Sequence, residues 1–426
     1  MRTLNIPFRG FIFCLSLSLA GLALAAPRPR PRHAPANQNP GRALTPPMGW
    51  NSWNHFAGRV NERVARQTAD AMVASGMAKA GYIYLNLDDT WMARQRDAQG
   101  RLQANPRRFA QGIPALAAYV HKLGLKFGLY EDAGLRTCAG YPGSLGHYRT
   151  DAATFAAWGV DYLKFDWCNV PLRQMPTLHG NVNLNGLRPG QIAQQLYRRM
   201  GAALLATHRP IVFSLCEWGL YRVWRWGQTA GNLWRTTGDI KDNWASMTRN
   251  GFSQNRLAAY SGPGHWNDPD MLEIGNGGMT TTEYRTQMSL WSLLSAPLLA
   301  GNDLRTMTTT TRSILENRAV IAVDQDVLGV QGHRIWRAGR APNDREIWSK
   351  PLSGGAVAVG LFNRGPKAAR MTVRWWQLGL GKPNTPVCYT NLWTHISAAG
   401  QPGGFTGQVS GHGVILLRVW HGTDCK

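Results

Sequence analysis

Several classes of function are excluded by what this 426-residue chain lacks. It has no C-x-x-C pair and no Cys/His spacing of the kind that binds zinc. No glycine-rich fingerprint follows a strand-like run, as dinucleotide-binding sheets require. Beyond the N-terminal leader no apolar run approaches membrane-spanning length. Acids are scarce, 24 against 47 lysines and arginines, giving a formal charge of +23. A surface this basic could meet nucleic acid or an anionic envelope, but no basic stretch interleaves with aromatics as in a nucleic-acid module. Charged residues make up only 17% and hydrophobic ones 44%, which describes a globular chain. These absences lead us to expect no cofactor, no metal, no nucleic-acid partner and no membrane span.

The chain does contain an export leader. Arg2 and Arg9 form a charged start, Phe11 to Leu24 an apolar segment, and Ala23-Leu24-Ala25 a small-residue cleavage site. Residues 1–25 read as a signal peptide and 26–47, rich in proline and arginine, as an extended linker. The expected location is therefore extracellular or periplasmic. The first 47 residues hold six arginines and no acid, leaving +17 for the rest, which we read as adaptation to milieu or wall adhesion. Without Cys14 of the leader, five cysteines remain, so one is unpaired; Cys216, inside a strand-like run, is the candidate. Cys388 and Cys425 could join to each other. The 18 tryptophans suit either a packed core or a protein that holds sugar rings against indole faces.

From Met48 the chain alternates helix-like and strand-like stretches. Asn61 to Met77 has helical periodicity with Asn61 as N-cap, and a helix with Ile113, Leu116, Val120 and Leu123 closes on Gly124. Runs 81–89, 125–132, 160–169, 210–217, 232–239 and 293–300 read as strands, and a Thr150-capped helix precedes the third. Residues 48–330 thus fit a (β/α)8 barrel, with a doubly wound sheet as the alternative. After residue 330, short alternating strands at 346–349, 356–362, 369–376 and 413–420 replace the alternation. Residues 331–426 read as an antiparallel β-sandwich.

The run Val160-Asp161-Tyr162-Leu163-Lys164-Phe165-Asp166-Trp167-Cys168-Asn169 is where chemistry concentrates. Residues i and i+2 of a strand share a side, so Lys164 and Asp166 can sit together at its end. The ammonium is expected to hold Asp166 anionic, as a nucleophile requires. A Lys-x-Asp pair alone is commonly structural, but other strands also end in acids: Asp88-Asp89, Glu131-Asp132, Glu217, Asp239, and Asp268 and Asp270. In a barrel these ends open onto one face. Two acids flanking a bond, one anionic and one protonated, are the minimum for glycoside hydrolysis. Asp239, between Gly238 and Ile240, has a setting expected to raise its pKa and suit a general acid. Asp88-Asp89 would hold hydroxyls, and Trp53, at a strand start, could be core or stacking face.

Taken together, LTPPMGWNSWNHF, YLNLDDTW, FGLYEDAGLRTCAGYPGS, LKFDWC, SLCEWGLY, WRTTGDI and GHWNDPDMLEIGN resemble the melibiase-type α-galactosidases, glycoside hydrolase family 27. The resemblance covers nearly the whole first domain in order; the second matches loosely. It implies a (β/α)8 barrel followed by a β-sandwich, and a retaining mechanism with Asp166 as nucleophile and Asp239 as acid/base. It further implies sugar contacts from Trp53, Asp88, Asp89, Tyr130, Cys138, Lys164, Glu217, Leu220, Tyr221, Arg235, Asp270 and Met271. The family's disulfide beside the nucleophile maps onto Cys138–Cys168. The implied substrate is an α-galactoside-containing oligo- or polysaccharide.

Two positions depart from the pattern. The cysteine that often pairs with the one at Cys216 has no counterpart near Gly231. Glu131 stands where a small residue is common, and could add an acid to the site wall. Glu217 with Leu220 resembles the galactose-selecting loop, whereas the family's N-acetylgalactosaminidases carry smaller residues there. The Asp88-Asp89 pair favours a sugar with a 6-hydroxyl over an arabinopyranoside. Same-family α-N-acetylgalactosaminidase and β-L-arabinopyranosidase activities are the nearest alternatives, and a non-catalytic carbohydrate-binding protein a distant one.

Overall fold

The computed structural model describes residues 41–172, 186–381 and 385–425. Residues 1–40, which include the segment expected to be a leader and most of the expected linker, lie outside the described residues. From residue 41 on, the chain forms an eight-stranded parallel sheet that curls into a ring, followed by an antiparallel domain.

The parallel strands are β1 (Met48–Asn51), β2 (Tyr84–Asn86), β3 (Lys126–Asp132), β4 (Tyr162–Asp166), β5 (Val212–Cys216), β6 (Leu233–Arg235), β7 (Trp266–Asp268) and β8 (Leu298–Ala300). From β1 to β7 each strand pairs with the next in sequence, and β8 pairs with β1. The ring closes beyond β7: Leu272 N donates to Leu299 O at 2.8 Å and Gly301 N to Leu272 O at 2.9 Å. The inner layers are tight. A Cβ on Gly128 of β3 would lie 1.9 Å from Asn86 Oδ1, so only glycine fits there. Within the ring Tyr84, Tyr162, Val212, Leu233, Trp266, Met271 and Leu299 form an apolar cluster against which Trp53 packs.

Local signals explain the helices. The helix Glu62–Ser75 begins at Asn61, whose side chain accepts from Val64 N, and ends at Gly76 with φ of 100°. The helix Tyr148–Ala157 starts after His147, so Thr150 lies within it and does not cap it. Thr280 and Glu283 form a capping box for Thr281–Leu294. That helix corrects the strand expected over 293–300: Leu293 and Leu294 are its last turn, and only Leu298–Ala300 is extended. The 232–239 run likewise stops at Arg235 as a strand.

The second domain has a six-stranded sheet ordered β14-β13-β16-β11-β10-β9 and a two-stranded ribbon β12-β15. Its strands are β9 (His333–Ala338), β10 (Arg345–Pro351), β11 (Val357–Asn363), β12 (Ala369–Arg374), β13 (Val387–Asn391), β14 (Ser397–Ala399), β15 (Gly404–Val409) and β16 (Val414–His421). On β11, Val357, Val359 and Leu361 join the sandwich core with Met371 and Val373 of the ribbon. Ala358 and Phe362 point the other way, into the main core with Leu293 of the Thr281–Leu294 helix. Both faces being buried, β11 reads as one continuous apolar run. Cys388 and Cys425 are disulfide-bonded, and Cys216 is a buried free thiol.

Candidate active site

The site is built where the parallel strands end. After β2, Asp88 and Asp89 are almost fully buried, at 2% and 1% exposure. Asp88 Oδ2 accepts from Lys164 Nζ and from Asn51 Nδ2, both at 2.8 Å. Asp89 Oδ2 accepts from Ala139 N at 2.8 Å, tying the β2 end to the loop after β3. Lys164 also lies over the Tyr130 ring, 5.2 Å from its centroid, and Tyr130 Oη is 3.2 Å from Cys138 Sγ. Asn51 was not singled out from the sequence; its place directly before the Ser-Trp of NSW, at the end of a buried strand, is the only signal for it.

Asp166 ends β4 and is 5% exposed, with Oδ1 accepting from Trp167 N at 2.9 Å. Burial pushes its carboxyl up to about 6, with Lys164 and Arg235 pulling the other way. This corrects the expectation that Lys164 would hold Asp166 below its ordinary value. The ammonium is committed to Asp88, and loss of water around Asp166 is the larger effect. Behind it, Asp132 accepts from Gly134 N at 2.6 Å and from Cys168 N at 2.8 Å. The Cys138–Cys168 disulfide joins the same two turns. Asp132, Cys138, Asp166 and Cys168 place potential ligand atoms within 4.8 Å of one another. Both sulfurs are consumed by the disulfide, so this is not a thiolate metal site.

Asp239 stands four residues past β6, on the exposed rim. Burial raises its carboxyl, but the charges of Arg235 and Lys164 and the Arg235 hydrogen bond outweigh it and hold it below the ordinary range. That reverses the expectation drawn from Gly238 and Ile240. Arg235, itself 3% exposed, reaches Asp239 Oδ1 at 3.0 Å and Asp270 Oδ2 at 2.7 Å. Asp270 also accepts from Ile240 N at 2.8 Å, which draws the loops after β6 and β7 together.

Glu217, directly after β5, is fully buried and accepts from Tyr221 N at 2.6 Å. Its second oxygen, Oε1, is buried with no hydrogen-bond partner among the described residues, and burial raises its carboxyl to about 8 against the pull of backbone N–H groups. Leu220 on the same loop is 60% exposed. Trp53 lies on a helical turn, Trp53–Phe56, just after β1 and not at a strand start. It and Met271 belong to the apolar cluster inside the ring. Glu131 is not part of the site wall. Strand alternation turns its side chain to the opposite face from Tyr130 and Asp132, and besides the adjacent Asp132, whose N–H it accepts, its charged neighbours are Asp151 and Arg96.

Two family models match the chain. One, described as alpha galactosidase A, covers residues 45–326, and the other, an alpha galactosidase C-terminal beta sandwich domain, covers 342–419. The chain is similar to an alpha-galactosidase of Cyamopsis tetragonoloba, 49% identical over 87% of this chain and 85% of that one. Among solved structures it is similar to alpha-galactosidase I from Mortierella vinacea, with a TM-score of 0.82, 33% identity, and coverage of 91% of this chain and 100% of that one. It also resembles the alpha-galactosidase from Saccharomyces cerevisiae with raffinose, with a TM-score of 0.83, 28% identity, and coverage of 91% and 99%.

Proposed function

We propose, because the chain belongs to the alpha galactosidase A family of glycoside hydrolases, that it removes terminal α-D-galactosyl residues from oligosaccharides, galactomannan branches or glycoconjugates. In this reading it is exported and works by retention. Asp166 attacks the anomeric carbon and Asp239 gives its proton to the departing oxygen. Water then enters with Asp239 as base, releasing galactose from Asp166. The observation that carries the proposal is the convergence of Asp88, Lys164, Asp166, Glu217, Arg235 and Asp270 on one end of the ring.

Each side chain has a task that its environment supports. The Asp88–Lys164 pair and Asp89 present fixed acceptors and a donor to sugar hydroxyls. Glu217, buried with its carboxyl raised to about 8, accepts from Tyr221 N and so holds the loop that carries Leu220 and Tyr221. Tyr130, Trp53 and Met271 give the apolar wall, and Leu220 and Tyr221 the rim beside it. In the free enzyme Asp239 is ionised by Arg235. A pyranose seated over it removes water and shifts it toward the protonated form that a general acid needs. The disulfide Cys138–Cys168 and the Asp132 bonds fix the turn that carries the nucleophile.

Replacement of Asp166 by Asn tests the assignment. Hydrolysis of an aryl α-galactoside is expected to vanish with the melting temperature unchanged, and full activity would remove Asp166 from the mechanism. A panel of aryl α-galactoside, α-N-acetylgalactosaminide and β-L-arabinopyranoside tests the sugar. Preference for the second would overturn the reading of Glu217 and Leu220.

A further inference from the structure

The C-terminal domain carries a cationic groove that the hydrolytic reaction does not use. From residue 331 to the end, the sequence has twelve lysines and arginines against three acids. Two of those acids, Asp344 and Glu346, are fully buried and held by Arg334, Arg337 and Arg364. They therefore do little to offset the charge at the surface. The remaining cations are not spread evenly. Arg370, Thr372 and Arg374 alternate along one face of β12, while Met371 and Val373 turn into the sandwich core. Together with Trp336 of β9, Arg345 of β10 and Gln377, they line a groove of about 360 Å³.

The lining has a definite chemistry. Arg345, Arg370 and Arg374 join no ion pair among the described residues, and no acid lines the groove. Guanidinium forks match carboxylate or sulfate oxygens in pairs. Trp336 is 36% exposed, so part of its indole is open to the face of a sugar ring. The Thr372 hydroxyl is paired with that of Thr406 at 2.8 Å and the Gln377 carbonyl oxygen accepts from Arg374 N at 2.8 Å, which leaves the Gln377 amide NH2 for ring hydroxyls. The volume falls within the range of about 300–1,000 Å³ usual for ligand sites. A flat phospholipid surface does not enter a groove. A nucleic-acid duplex offers it a convex backbone, with the bases shielded from the indole.

We propose that this groove binds an acidic polysaccharide, its uronate or sulfate groups on Arg345, Arg370 and Arg374 and a ring face on Trp336. The second domain then holds the enzyme on an anionic glycan while the barrel acts on galactosyl ends. The site is independent of the catalytic assignment.

The test uses the full chain in 150 mM salt, with polygalacturonate and dextran sulfate as acidic probes and galactomannan, duplex DNA and anionic phospholipid vesicles beside them. One or both acidic glycans should bind, identifying carboxylate or sulfate as the preferred group. Arg370→Ser/Arg374→Ser and Trp336→Ala should each weaken that binding at least tenfold. Arg63→Ser/Arg107→Ser, which removes the same charge from exposed barrel positions, should change it less than twofold. Aryl α-galactoside turnover should be the same in all variants. Should Trp336→Ala not fold, quenching of wild-type tryptophan fluorescence by the bound glycan replaces it. Equal losses in groove and control variants would overturn the proposal, as would DNA or vesicles binding as tightly and through the same residues. Failure to bind either acidic glycan would overturn it too.

Discussion

Lys164 Nζ lies 2.8 Å from Asp88 Oδ2, so the cation two residues before Asp166 makes its salt bridge with a different acid, just past the end of β2, the neighbouring strand but one. The pair holds a charged acceptor and a charged donor at the site floor. Asp166 feels Lys164 only through space, and burial leaves its carboxyl at about 6.

Removing that cation should therefore show in the pH profile. Lys164 pulls the Asp166 pKa down, so Lys164→Met raises it. The acid limb of kcat/KM is expected to move to higher pH, with KM for an aryl α-galactoside rising as Asp88 loses its partner. An acid limb that stays in place would detach Lys164 from the ionisation of Asp166.

Arg235 bridges Asp239 and Asp270, and both Arg235 and Asp270 have side chains only 4% exposed. Truncating one partner of a buried pair leaves a charge unmatched, at a cost of about 3–5 kcal/mol. Arg235→Ala should lose about that much in urea unfolding. Arg235→Ala/Asp270→Ala should recover part of it, because the stranded carboxylate is gone. No recovery would place the loss in packing.

Glu217 gives a pH dependence of stability with a definite sign. Its folded pKa of about 8 lies above the ordinary value of 4.5, so between these pH values the folded state binds more protons than the unfolded one. Its contribution to stability is complete below the lower value and declines as pH rises toward about 8. Glu217→Gln should flatten this part of the curve in thermal melts from pH 4 to pH 8, and should raise the melting temperature relative to wild type at pH 8. A parallel curve for the variant would contradict the shift.

The Cys138–Cys168 bond closes a loop with a sequence separation of 30 residues. Chain-entropy reasoning assigns such a closure about 3.5 kcal/mol. Cys138→Ser/Cys168→Ser should lose stability of that order and, since the bond ties the turn after Asp166, should lower kcat more than it alters inhibition by galactose. Equal effects on both would mean that the bond shapes the sugar pocket as a whole.

The carboxylates were legible because LDD, KFD and CE end buried apolar runs, a pattern that strand periodicity alone displays. Their ionisation was not legible, because it depends on contacts across strands. Asp239 looked like a group raised by Gly238 and Ile240, yet Arg235 folds back on it and simultaneously reaches Asp270. Lys164 looked like the partner of Asp166, and only the neighbouring strands place Asp88 against it. Strands with an apolar period, such as β11, could be read directly. β7, three residues long and running straight into the NDPD turn, could not, nor could β9, β13, β14 and β15, where polar and glycine residues dilute the alternation. Leu293 and Leu294 read as strand because a fully buried helix end has no polar face.

The stereochemistry of the first product tests the central claim most directly. Proton NMR of an aryl α-galactoside with excess enzyme, followed before mutarotation, should show α-galactose appearing first, since two successive displacements at the anomeric carbon restore its configuration. Initial release of β-galactose would mean a single displacement by water, and would contradict Asp166 as the nucleophile.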